Sequence, residues 1–264
     1  IRTEVVKSVE SSVRELQKWI DDVGVTIDWI APKKSDKHPI VDVLHRRLNA
    51  NEIEFYNKKI PLSQTDYKKY FDRTINGFKF ENYLVNETWG RPRDLVRLLS
   101  LASKMAGNDT KLRETSFLEN RINYSRSSWD EKRDELNTKY SQTQIETIKR
   151  SLTDFQTSFS YEQFESHISY LSRKDPRNNQ FYDGRNIDAF LEDLFNVGII
   201  GNLAQNRAGK YFPYFGYTGN TNFTVTQMFC THRSLWDELR LTAPNENKHV
   251  KRRRAENSPS KKRR

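Results

Sequence analysis

Two arginines flank a proline in Trp89-Gly90-Arg91-Pro92-Arg93-Asp94, and guanidinium groups set this close can hold a phosphate or pair with carboxylates. Pro92 suits the first position of a helix, where its missing N–H costs nothing, and Gly90 permits a sharp turn before it. Leu95, Val96, Leu98, Leu99 and Ala102 follow at helical spacing, which predicts a buried helix. Arg93 then stands in the first turn, where the helix dipole prefers acids. A cation there needs something negative opposite. A nucleotide phosphate is one such anion; Asp94 or carboxylates elsewhere in the chain are another, and spacing leaves both readings open.

Other chemistry is sparse. No acid pair and no Ser/His/Asp set stands out, so no catalytic residue is assigned. The lone Cys230 lies in an apolar, strand-like run that suits a packed side chain. A single cysteine allows no internal disulfide and is compatible with a reducing cytoplasm. The five histidines are scattered, and none has metal-site spacing with other ligands, so no metal is expected.

The remaining charged motif is the C-terminal tail, with Lys248, Lys251, Arg252, Arg253, Arg254, Lys261, Lys262, Arg263 and Arg264. These nine cations, against Glu256 alone, carry most of the net charge of +10 and leave about +2 for residues 1–247. Apart from Val250 and Ala255 the tail has no apolar residue, so it is expected to be disordered. It is suited to nucleic acid, with a log–log salt slope of about −0.7 per phosphate on single strands. It also has the look of a two-cluster nuclear address, and a solubilising tail is the simpler alternative.

The elements that must position these groups are mostly helices. Charged residues make up 30% of the chain and apolar ones 35%, and no apolar run approaches the roughly 20 residues of a membrane span. Val5 to Val23 carry a helical stripe, stopped by Gly24, and Val25 to Ile30 alternate like a short extended piece. Pro39 starts a helix through Leu48, and Pro61 a short one. Asn76-Gly77 predicts a minimal hairpin. The Pro92 helix ends at Gly107, and helices are expected over about 115–137 and 142–156.

Beyond residue 157 the texture changes. Ser160 and Gln163 have capping-box spacing, worth about 1 kcal/mol, and open another helix. Ile187 to Phe195 form a further amphipathic helix ended by Gly198. Strands are expected at Ile199-Ile200, Tyr211–Tyr217 and Phe223–Cys230, then a helical turn over Ser234–Leu239. Helices followed by a strand hairpin is the order of a winged helix. Its recognition helix would carry Asp188, Glu192 and Asp193, with only Arg185 basic, which repels a duplex and favours packing. The aromatics of 211–217 could stack on single-stranded bases, though a core sheet face explains them more simply. The fold expected is mainly α: a helical lid bundle over 1–156, a winged-helix domain with a small antiparallel hairpin over 157–241, and the basic tail over 242–264.

With these pieces placed, the chain resembles the C-terminal part of a bacterial P-loop ATPase family related to AAA+ and STAND proteins. The resemblance rests on Ile1-Arg2-Thr3-Glu4-Val5-Val6, Val25-Thr26-Ile27-Asp28-Trp29, His38-Pro39-Ile40, the Trp89–Asp94 motif and Thr231-His232-Arg233-Ser234-Leu235-Trp236. It implies that Arg93, with Arg91 second and Gly90 forming the turn, acts as a sensor-2-like contact to nucleotide. No Gly-x-x-x-x-Gly-Lys-Ser/Thr occurs, nor an apolar strand ending in paired acids, so the chain alone should neither bind nor hydrolyse ATP. ATP and magnesium would belong to an intact parent. The missing P-loop core then lies in the same polypeptide, of which this chain is a fragment starting at Ile1, or in another subunit.

The expected function is thus a regulatory lid and winged helix that sense nucleotide in the cytoplasm, with no membrane partner; a homo-oligomer is compatible with it. The alternative is a nucleic-acid-binding adaptor without nucleotide chemistry. That adaptor would act through the winged helix and the tail residues Lys251, Arg252, Arg253, Arg254, Lys261, Lys262, Arg263 and Arg264.

Overall fold

The computed structural model of the chain describes residues 38–56, 69–175, 182, 187–218 and 222–244. Two compact units divide the chain, Ile1–Ile30 and Ala31–Arg264, and all the described residues belong to the second. The stripe of Val5–Val23, the extended piece at 25–30, the Pro61 helix, Arg185 and the tail cations lie outside the described residues.

Helix α1, Pro39–Tyr56, begins at its proline and buries Ile40, Val41 and Leu44. The hairpin β1–β2, Thr74–Ile75 and Phe78–Lys79, turns on Asn76 and Gly77, both at positive φ as a tight two-residue connection requires. Helix α2, Phe80–Glu87, leads into the arginine motif. Helix α3, Pro92–Ala106, starts at Pro92 and buries Leu95, Leu98 and Ala102. Val96 instead faces solvent, 61% exposed, because the buried stripe runs through Asp94, Leu95 and Leu98 and turns position 96 away.

The helix expected over 115–137 is two: α4, Glu114–Leu118, and α5, Arg121–Leu136. Asn120 breaks the run, its side-chain amide donating to the Leu101 carbonyl of α3. Helix α6, Gln142–Leu152, opens on a capping box made by Ser141 and Gln144. Helix α7, Tyr161–Lys174, opens on the Ser160–Gln163 box. Helix α8 covers Ile187–Asn196.

The C-terminal sheet is antiparallel, with β3 Ser158–Phe159, β4 Ile200–Gln205, β5 Tyr211–Tyr214 and β6 Met228–Thr231 in the order β3-β6-β4-β5. The succession α6, β3, α7, α8, β4, β6, with β3 beside β6 and β6 beside β4, is that of a winged helix, and β5 extends its wing. β4 runs well beyond Ile199-Ile200. The two later strands are shorter than their sequence patterns suggest, since the Tyr211 strand gives way to a 3-10 turn at Gly216–Thr218.

One core serves the bundle and the winged helix together. Trp89, Trp129 and Leu136 pack in the same cluster as Phe159, Phe164, Leu191, Ile200 and Phe229. The boundary drawn at 156/157 therefore falls inside a continuous apolar interior. Among the described residues, no helix is long and apolar enough to cross a membrane.

Candidate functional site: an arginine-rich helix start

The turn before α3 is built as its residues dictate. Gly90 adopts φ +66°, a conformation that costs most side chains about 1–2 kcal/mol. Arg91 is the N-cap and offers no side-chain cap; Asp94 is fully buried and accepts the Trp89 amide at 3.4 Å.

Trp89 anchors the motif. It is 1% exposed, and its indole N–H donates to the Gly198 carbonyl at 2.9 Å. Its ring stacks on His232, centroids 4.1 Å apart and planes within 13°. Gly198 has φ +78°, and a Cβ there would meet the Tyr217 ring at 2.5 Å, so only glycine fits. His232 accepts the Ser234 amide through Nδ1 at 3.3 Å, and the Ser234 hydroxyl lies 2.9 Å from the same nitrogen. Burial, helped by the Lys132 charge, holds its pKa well below the ordinary imidazole value, so the ring is neutral. Next to it, Arg233 donates to Glu87 of α2, and Arg121 grips Asp237 with two hydrogen bonds. The two motifs singled out in the sequence, 89–94 and 231–236, are thus one contact.

The arginines face α5. Glu131 and Glu135 stand one helical turn apart there and point at the start of α3. Arg91 reaches Glu135 at 3.0 Å and Glu131 at 3.5 Å. Arg93 pairs with Glu131. Arg97 meets Glu131 at 2.7 Å and Asp94 at 3.2 Å. Below them Lys132, fully buried, donates to Glu135 at 2.9 Å and lies over the Trp89 ring, 4.4 Å from its centroid. Burial, with Arg91 nearby, pulls the Lys132 pKa down to about 8 against the pull of Glu135. Burial also disfavours the Glu135 carboxylate, yet Lys132 and Arg91 together hold its pKa below the ordinary value.

An internal carboxylate therefore meets the electrostatic need that Arg93 creates at the helix start, and no external anion is required to keep the guanidinium there. Among the described residues the cluster has four cations, Arg91, Arg93, Arg97 and Lys132, against Asp94, Glu131 and Glu135. The side chains differ sharply in access: Arg93 is 61% exposed, Arg91 25% and Arg97 20%. Neither glutamate stands out in the sequence. Their one signal is the spacing Ser128, Glu131, Glu135, a polar stripe on the face of α5 that also buries Tyr124 and Lys132.

Elsewhere, a cavity of about 10 Å³ between α2, α3 and α5, edged by Glu87, Arg121, Tyr124 and Asp237, has room for about one water. Burial raises the Cys230 thiol to about 12, which leaves it a packed, unreactive group. Among the described residues no group of three or more His, Cys, Asp or Glu could hold a metal ion.

Residues 38–131 match the family model of the FunZ-associated C-terminal helical domain. The matched span runs from the start of α1 into α5 and ends at Glu131, so it contains Gly90, Arg91, Arg93 and the acid they share. By that match, this part of the chain fits a C-terminal helical part of a larger protein. No curated protein and no solved structure matches the chain.

Proposed function

We propose that this chain is the regulatory C-terminal region of a bacterial, cytoplasmic P-loop ATPase related to AAA+ and STAND proteins. In it Arg93 senses bound nucleotide and the winged helix relays the result. ATP and magnesium belong to a phosphate-binding core outside these 264 residues, and this chain alone hydrolyses nothing. Arg93's fit to an anion rests on its exposure and on the one cation in excess within its cluster, not on a nucleotide-sized cavity.

The observation that carries the reading is Arg93 itself: an exposed guanidinium, next to a loop locked by Trp89 into the winged-helix core. A phosphate oxygen arriving at Arg93 competes with Glu131, while Arg91 and Arg97 retain that carboxylate. The exposed Arg93–Glu131 pair is worth at most about 1 kcal/mol, so little opposes its exchange for a phosphate contact once a nucleotide-bearing core covers Arg93. The Trp89 anchor then passes any tilt of α3 to the sheet without slack.

The test is Arg93→Ala in the full-length parent protein. ATP turnover or ATP response should fall by about tenfold or more, with the melting temperature unchanged. Wild-type turnover and response in that variant reject the assignment.

A further inference from the structure

The β4–β5 wing carries an independent feature. Among the aromatics of 211–217, Phe215 is buried and Tyr217 packs against the core, but Tyr211 is 62% exposed and Phe212 47%. Successive strand residues point to opposite faces, so one ring stands on each side of the ribbon. The register places Pro213 beside Leu203 and Leu203 beside Met228, which puts Tyr211, Pro213 and Met228 on one outward face. All three are exposed.

The tip is basic and fixed in shape. Asn206 accepts the amides of Ala208 and Lys210 through its side chain, both at 2.9 Å, and Gly209 closes the turn at φ +75°. Gln205 adds a bond to the Gly209 carbonyl at 3.0 Å. Arg207 and Lys210 project from this frame into solvent. No aspartate or glutamate occurs between Asp193 and Asp237, so β4, β5, β6 and the segments joining them carry no carboxylate. The winged helix's acids sit instead on α7, on α8 and after β6, and on α8 Asp193 is held by Lys139 and Tyr140.

We propose that this wing is a binding surface for single-stranded nucleic acid, with bases stacking on Tyr211 and Phe212 and phosphates meeting Arg207 and Lys210. Aromatic rings beside exposed cations on a rigid ribbon suit unpaired bases, whose faces are free, better than a duplex, whose bases are stacked away. The acidic α8 disfavours the usual major-groove approach of a winged helix, so the wing acts without it. This proposal does not rest on the nucleotide-sensing role of Arg93.

The test uses the full chain and three labelled oligonucleotides of equal length, an oligothymidylate, an oligouridylate and a mixed-sequence duplex, read by fluorescence anisotropy. Single strands should bind in preference to duplex. Tyr211→Ala with Phe212→Ala should weaken single-strand binding by about tenfold or more and leave the salt slope unchanged. Arg207→Ala with Lys210→Ala should reduce that log–log slope by about 1.4. Both differences should survive when Lys251, Arg252, Arg253, Arg254, Lys261, Lys262, Arg263 and Arg264 are changed to glutamine, which separates wing from tail. All four wing residues are exposed, so an unchanged melting temperature is expected and is checked. Affinity indifferent to both pairs of wing substitutions, a preference for duplex, or no single-strand binding overturns the proposal.

Discussion

The start of α3 and the β4–β5 wing are both rich in cations, but their charges are in opposite situations. At α3, Arg91, Arg93 and Arg97 share Glu131, with Glu135 and Asp94 close by. On the wing, Arg207 and Lys210 lie in a stretch of sequence without one acid. A cluster of arginines in a sequence is therefore weak evidence for an external anion. The stronger evidence is a cation that stays open to solvent, as Arg207 and Lys210 do, and as Arg93 does although paired.

The largest test of this contrast concerns the anchor that fixes the arginine edge. Trp89→Ala removes a buried indole, its stack on His232 and its bond to Gly198, and should cost about 3–5 kcal/mol in urea unfolding. Bundle and winged helix should lose stability together, because they share one core. Two separate transitions in that variant would show that they do not.

Next is the acid. Glu131→Gln leaves three guanidiniums without their common carboxylate and should cost about 1–3 kcal/mol by denaturant titration. In the parent ATPase it should strengthen the response to ATP, since Arg93 no longer has to leave a partner. A variant as stable as wild type would mean that Asp94 and Glu135 already suffice.

Lys132 sharpens the comparison through pH. Its folded pKa of about 8 lies below the ordinary lysine value of about 10.4, so between these values the unfolded chain holds more protons than the folded one. Stability contributed by this group must rise as pH climbs from 8 toward 10.4 and be lost as pH falls back through 8. Measured as urea midpoints, the gap between wild type and Lys132→Met should move in favour of wild type over that window and stay flat below it. A flat gap throughout would show that Glu135 keeps the ammonium fully charged.

The smallest effect is expected at the residue of most functional interest. Arg93→Ala should change folding stability by less than about 0.5 kcal/mol, since an exposed ion pair contributes little. A loss above 2 kcal/mol would make Arg93 a structural residue.

Local signals in the sequence are legible where a few adjacent residues decide the geometry. Pro39 and Pro92 start helices, Asn76-Gly77 makes its hairpin, Gly198 ends α8, and Ser160–Gln163 forms its capping box. Ser141–Gln144 carries the same box signal, and it too sits at a helix start. Pairings set by tertiary packing are not legible in this way. Trp89 and His232 are far apart in sequence, and nothing local to either predicts the stack. Glu131 lies a whole helix away from Arg93, on a polar face that reads as solvated until α3 covers it. Strand β3 has two residues, too few for alternation, and exists only because β6 is beside it.

Sharing one acid among three guanidiniums also concentrates the edge's charge balance on Glu131. Any event that cancels its charge, such as a substitution or protonation in strong acid, strips Arg93 of its carboxylate and leaves Arg91 to Glu135 and Arg97 to Asp94 alone. Loss of any one arginine leaves the other two still neutralised. Variation at this position should therefore be tolerated far less readily than at Arg93, and the loosened edge it produces would be the first part of the bundle to exchange its amide hydrogens.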